Sequence, residues 1–229
     1  MQTLDALVWK LMRSLLWVGS KLYNVKVYGL EHVEPGKAAA FAVKHSSNVD
    51  LALILHVSPK KATVFATQGI FVNRAANYFL RVAGVAPLYT SLKDEAISIL
   101  TADMQAYRKF YNTLKSGGWV AYAPEAKRVL KGVGENIRPE MLIKASELGH
   151  NTYLVGIRYR NADYPWLSLL RWPWQSGIEV RIERYDARNK TAAQVTEEVK
   201  EAFARLSGLE QKITQSPEGA AVASLSHQR

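Results

Sequence analysis

Short β-rich runs alternate with helix-period segments along most of this chain, and that alternation restricts the fold more than any other feature. Residues 25–28, 38–44, 62–67, 85–89, 119–123, 152–159 and 178–183 read as strands, bounded by turn residues such as Glu34-Pro35-Gly36 and Gly117-Gly118. Between them, residues 51–56, 69–83, 91–116 and 139–148 read as helices, the last opened by Pro139 and stopped by Gly149. Thr191 and Gln194 have capping-box spacing ahead of a final helix with the stripe Val195, Val199, Phe203, Leu206, Leu209. Strands joined through helices are brought side by side in parallel, because a crossover replaces the hairpin. The expected fold is therefore α/β: a single layered domain with a largely parallel central sheet flanked by helices. It occupies residues 23–213, preceded by an amphipathic helix at 1–22 and followed by a flexible tail at 214–229.

The N-terminal segment carries a clear helical period. Leu4, Leu7, Val8, Leu11, Leu15, Val18 and Leu22 recur at steps of three and four, with Trp9, Leu16 and Trp17 widening the stripe. Asp5, Lys10, Arg13 and Lys21 interrupt it, whereas a spanning helix needs about 18–20 nearly uncharged residues. The apolar stretch is also too short and too charged for a cleavable signal peptide. A stripe with Trp and basic residues suits a helix lying in a bilayer interface. It suits equally a helix packed on the protein's own core. The segment 164–174 holds Trp166, Trp172 and Trp174 with two prolines and Arg171, and it too fits either an interface or a cover over the sheet. The formal charge is +10, which calls for an anionic counterpart such as nucleic acid, an anionic membrane or an acidic small molecule.

Chemistry is concentrated in two places. In His45-Ser46-Ser47-Asn48-Val49-Asp50, an imidazole and a carboxylate follow directly after a strand. On one continuous helix that spacing would separate them by about 140°. They meet if His45 sits on the strand-to-helix turn and Asp50 in the first helical turn, and Ser46, Ser47 and Asn48 are cap-type residues suited to that turn. A His oriented by an Asp is a general base; the same pair also fits a hydrogen-bonded His beside an Asp cap. The second place is Ala123-Pro124-Glu125-Ala126-Lys127-Arg128-Val129, again after a strand. Lys127, Arg128 and Lys131 there suit a phosphate or another anion, or simply solvent. The chain has no cysteine, which excludes a thiol nucleophile, disulfides and Cys-ligated metal sites. No G-x-S-x-G elbow and no His pair at metal-ligand spacing is present.

In this order the blocks resemble the glycerophospholipid acyltransferase family of the lysophosphatidic acid acyltransferase, or PlsC, type, over roughly residues 25–185. That family carries N-H-x-S-x-x-D (the HX4D motif) after a strand, then G-x-I-F-I-D-R, then F-P-E-G-T-R, then an apolar strand with proline. Here the first block keeps His45, Ser47 and Asp50, with Lys44 for Asn. The third keeps Pro124, Glu125 and Arg128, with Ala126 for Gly and Lys127 for Thr. The fourth falls at residues 153–159, where Gly156 stands for the proline. The string 69–74, ending at Arg74, copies the second block, but it precedes a helix that the family's block follows. By position the match is 84–90, keeping Gly84 and placing Thr90 where the family has Arg.

The resemblance implies an acyltransferase of phospholipid biosynthesis that uses an acyl thioester donor, acyl-CoA or acyl carrier protein. The acceptor would be a lysophospholipid or glycerol-phosphate-like molecule. It implies His45 as general base oriented by Asp50, with Ser47, Gly84, Glu125, Lys127 and Arg128 at the substrate, and neither metal nor cofactor. Given a lipid substrate, Trp9, Trp17, Trp166, Trp172 and Trp174 are expected at an anionic membrane surface on the cytoplasmic side, without a spanning helix. The altered blocks also admit a non-catalytic member that binds lipid or acyl thioester. A nucleic-acid-binding domain is disfavoured, because no such motif is present and the basic residues are scattered.

Overall fold

The structure is a computed structural model, and it describes residues 2–47, 49–58, 61–67, 70–71, 73–88, 96–125, 128–129, 132–135, 137–160 and 177–209. Helix α1 (Gln2–Leu22) leads into β1 (Lys26–Tyr28), a 3-10 turn at Leu30–His32, and β2 (Ala39–Val43). Then follow α2 (Val49–Val57), β3 (Ala62–Thr67), α3 (Arg74–Val82), β4 (Val85–Leu88), α4 (Ala96–Lys115) and β5 (Trp119–Tyr122). The chain continues through α5 (Glu140–Glu147), β6 (Asn151–Tyr159), β7 (Ile178–Tyr185) and α6 (Ala192–Ser207). The helix expected at 69–83 is shorter. Asn73 caps it by accepting the Ala76 N–H, so regular helix begins at Arg74.

The strands form one seven-stranded sheet in the order β1-β7-β6-β2-β5-β3-β4. All neighbouring pairs are parallel except β6 and β7, which are antiparallel. Strand β2 lies at the centre and is buried at every position. Its sequence, Ala-Ala-Phe-Ala-Val, is apolar throughout and meets helices on both faces, with the small Ala40 and Ala42 allowing close approach on one of them. Ala39, Phe41 and Val43 point into one apolar layer with Leu53, Ile54 and Leu55 of α2, against which Trp9, Met12 and Leu16 of α1 pack. Ala40 and Ala42 point into the other layer, with Phe110 and Leu114 of α4, Leu142 of α5 and Val195, Val199 and Phe203 of α6. Being covered by both the sheet and α1, α2 is apolar nearly all round, with Leu53, Ile54, Leu55 and Val57 buried.

Helix α6 starts with the anticipated capping box, Thr191 accepting the Gln194 N–H while the Gln194 side chain accepts the Thr191 N–H. Its C-terminal end lies directly on β6. A Cβ added at Gly156 would stand 2.3 Å from the Leu206 Cβ and 2.7 Å from the Leu206 carbonyl carbon. The glycine at the place of the family's proline is therefore a packing requirement. Gly156→Ala should lower stability by about 1–3 kcal/mol through overpacking, measured by thermal or urea unfolding. A variant unfolding together with the parent would show that α6 does not bear on β6 there.

Candidate active site

The carboxyl ends of β2, β5 and β6, adjacent in the sheet, converge on one edge, where sites of parallel α/β sheets form. His45 follows β2 and Asp50 lies in the first turn of α2. The turn between them is built on the Asp50 carboxylate. Its Oδ2 accepts the Ser46 N–H at 2.7 Å and the Ser47 N–H at 2.8 Å, and lies 3.0 Å from His45 Nδ1. A carboxylate reaching back to free N–H groups at a helix N-terminus is favoured both as a cap and by the helix dipole. The same geometry brings His45 onto Asp50. The side chain of His45 is 31% exposed and that of Asp50 only 4%. The second carboxylate oxygen, Oδ1, accepts the Tyr159 hydroxyl from the end of β6. Burial, and then the Asp50 charge, push the Tyr159 phenol well above its usual pKa, so it remains a donor.

Glu125, after β5, holds the adjoining loops together. Its Oε2 accepts the His45 N–H at 2.9 Å and its Oε1 accepts the Gly134 N–H at 2.7 Å. Lys44 Nζ stands 3.4 Å from Oε1 and donates to the Val129 carbonyl at 2.9 Å. The side chains of Lys44 and Glu125 are 1% and 0% exposed. Burial lowers the Lys44 pKa, opposed by the charge of Glu125. The Val129 N–H also donates to the His45 carbonyl at 2.9 Å. Segment 128–129 is thus clamped to the His45 turn, and Arg128 in it is exposed.

Several expected substrate contacts have other surroundings. Ser47 is buried, and its Oγ accepts the Val49 N–H within the turn. Glu125 is buried with its carboxylate engaged by protein donors, and it braces the loops. Gly84 is a turn residue at φ +89°, where a Cβ would stand 2.5 Å from the Ala62 carbonyl oxygen. Through Val64, Val85, Ala121 and Phe41 its register is that of Ala40, roughly 16 Å back along the strands from His45. Lys127, Thr90, Trp166, Trp172, Trp174 and the tail lie outside the described residues. Arg74 opens α3 beyond the end of β3, on the same sheet edge as His45, and is exposed. Trp9, expected at the membrane, packs against the inner apolar layer with Lys61 Nζ 5.8 Å from its ring centre. Trp17 is exposed.

The sequence did not reveal the Lys44–Glu125 pair or the Tyr159 contact. A signal for the pair was present: a lysine closing an otherwise apolar central strand needs an acid. Lys44→Met should destabilise the protein by about 3–5 kcal/mol, because it leaves a buried carboxylate unpaired. The double variant Lys44→Met with Glu125→Gln should recover part of that loss. Chemical denaturation of both reads it out, and an equal or greater loss in the double variant would contradict the pairing.

An apolar cavity of about 370 Å³ lies between α1 and α2, lined by Leu15, Leu16, Val49, Ala52, Leu53 and His56 among others. It adjoins the site through Val49, next to Asp50. Burial, and then Arg13 and Lys21, lower the His56 pKa. Among the described residues no helix is long and apolar enough to cross a membrane.

Comparison with known proteins gives a consistent placement. The crystal structure of the 1-acyl-sn-glycerophosphate (LPA) acyltransferase PlsC from Thermotoga maritima matches with a TM-score of 0.62, over 92% of this chain and 82% of that one, at 19% identity. That likeness is one of fold. No curated protein sequence matches the chain. The acyltransferase family profile matches residues 24–160, which span the His45–Asp50 turn, the Glu125 loop and Tyr159. The chain belongs to the acyltransferase family.

Proposed function

We propose that this protein moves a fatty acyl group from an acyl thioester, on coenzyme A or acyl carrier protein, to a hydroxyl of a lysophospholipid or glycerol-phosphate-like acceptor. The observation that carries the reading is the His45–Asp50 pair, 3.0 Å apart, at the mouth of a parallel sheet. With Nδ1 on the carboxylate, Nε2 is the ring nitrogen left to take a proton. His45 removes the acceptor hydroxyl proton, and the oxygen attacks the thioester carbonyl carbon. The carbon–sulfur bond breaks as the tetrahedral intermediate collapses, and the imidazolium returns the proton to the departing sulfur. No acyl-enzyme is required. Arg128 and Lys127 are assigned to the acceptor's phosphate, and the cavity beside Val49 to an acyl chain. The helix α3 separates the 69–74 string from Gly84, which favours 84–90 as the second block and leaves Thr90 without the family's cation. A non-catalytic lipid-binding role is the alternative that the altered blocks suggest.

His45→Ala should reduce acyl transfer at least ~100-fold while unfolding like the parent. The assay follows free thiol release from an acyl-CoA in the presence of a panel of lysolipids. Parent-like turnover in the folded variant would refute the reading, and absence of turnover in the parent across the panel would favour the binding role.

The membrane assignment rests on α1. One face packs on the core through Trp9, Met12 and Leu16. The other leaves Leu4, Leu7, Leu11 and Leu15 between 56% and 64% exposed, with Trp17 at 56%. Lys21 lies over the Trp17 ring. Tyr78 and Phe79 of α3 are exposed, with the Tyr78 hydroxyl donating to Asp5 of α1 at 3.1 Å. This surface is assigned to the anionic cytoplasmic leaflet, basic residues adding attraction that salt screens. Changing Leu4, Leu7 and Leu11 together to Gln should cut the salt-resistant part of vesicle binding at least ~10-fold without lowering the melting temperature. Cosedimentation with anionic vesicles measures it; undiminished binding would place the contact elsewhere.

A further inference from the structure

A buried carboxylate that orients a base has two oxygens to satisfy, and here they are served by different parts of the fold. Oδ2 of Asp50 takes the N–H groups of Ser46 and Ser47 and faces His45 Nδ1. Oδ1 takes the hydroxyl of Tyr159. Tyr159 comes from β6, whose pairing with β2 brings its end to the same sheet edge. Its backbone is held in register with Ile178 of β7, and its side chain is buried. The phenol is thus carried by a strand outside the His45–Asp50 turn and bonds to the Asp50 carboxylate.

We infer that Tyr159 is a positioning residue: it fixes the Asp50 carboxylate and, by sharing that charge, sets how strongly His45 holds a proton. The inference rests on the reading of His45 as general base. A hydroxyl donated to Oδ1 draws negative charge away from Oδ2, so the imidazolium is held less tightly. His45 then releases its proton more readily to a departing sulfur. Among the described residues, the ionisable groups that adjoin His45 are Lys44 just after β2, Asp50 on α2 and Glu125 after β5. Lys44 and Glu125 are paired with each other. That leaves the Asp50 carboxylate as the direct route by which the phenol acts on the imidazole.

The test is a nitrogen-15 NMR titration of the full-length protein, with His45→Ala identifying the His45 signals. Tyr159→Phe should raise the His45 titration midpoint by about half a pH unit or more, leaving His56 and His150 unmoved. The acid limb of kcat/KM for palmitoyl-CoA should move the same way, with the donor KM unchanged. In an Asp50→Asn background, Tyr159→Phe should add no further shift. If Tyr159→Phe folds poorly, 3-fluorotyrosine at position 159, a stronger donor of the same shape, should move the midpoint down. An unmoved midpoint in the folded variant, or an equal shift in the Asp50→Asn background, would overturn the inference. The midpoints are read without substrate, so this result is separate from the turnover of His45→Ala, which judges the general-base reading.

Discussion

Glu125 is a carboxylate with no exposed side-chain surface, and the geometry of the sheet edge follows from what that burial requires. An ion taken out of water is stable only if charge and hydrogen bonds replace its hydration. Lys44 supplies the charge, and the N–H groups of His45 and Gly134 supply hydrogen bonds. These donors come from the end of β2 and from the loop beyond β5, so satisfying one side chain ties both segments together. Lys44 also reaches the Val129 carbonyl, and Val129 in turn donates to His45. The imidazole, its turn and the Arg128 segment are therefore mutually placed by buried polar contacts that an apolar contact would not orient.

Asp50 performs a related task with a different emphasis. Its carboxylate is at once the cap of α2 and the partner of His45. The turn that leads into α2 and the His45–Asp50 pair therefore share one carboxylate.

Helix α1 shows how one stripe serves two surroundings. Its period alone fitted both a membrane helix and a core-packed helix. The fold divides the stripe by angle. Trp9, Met12 and Leu16 turn inward, while Leu4, Leu7, Leu11 and Leu15 turn outward. A stripe of i, i+3 and i+4 positions identifies neighbours on a helix, but it carries no reference for the direction in which the rest of the protein lies. Trp9, expected at a membrane surface, is half-buried against the α2 layer.

Side-chain periodicity, caps and turn residues act over a few neighbouring positions, so the order and type of the elements were legible before any contact was known. Also legible was the meeting of His45 and Asp50 on a strand-to-helix turn, since their spacing and the cap-type residues between them are local. Tertiary structure decided what depends on contacts between residues distant in sequence. It placed Lys44 against Glu125, brought Tyr159 to Asp50, turned β7 antiparallel to β6, and made Gly156 a site of close approach by α6. It also set Gly84 well back from the sheet edge that holds His45 and left Ser47 buried in its turn. None of these has a signature within a short window, because each is fixed by which strands become neighbours in the sheet, and that order is set by packing the whole chain.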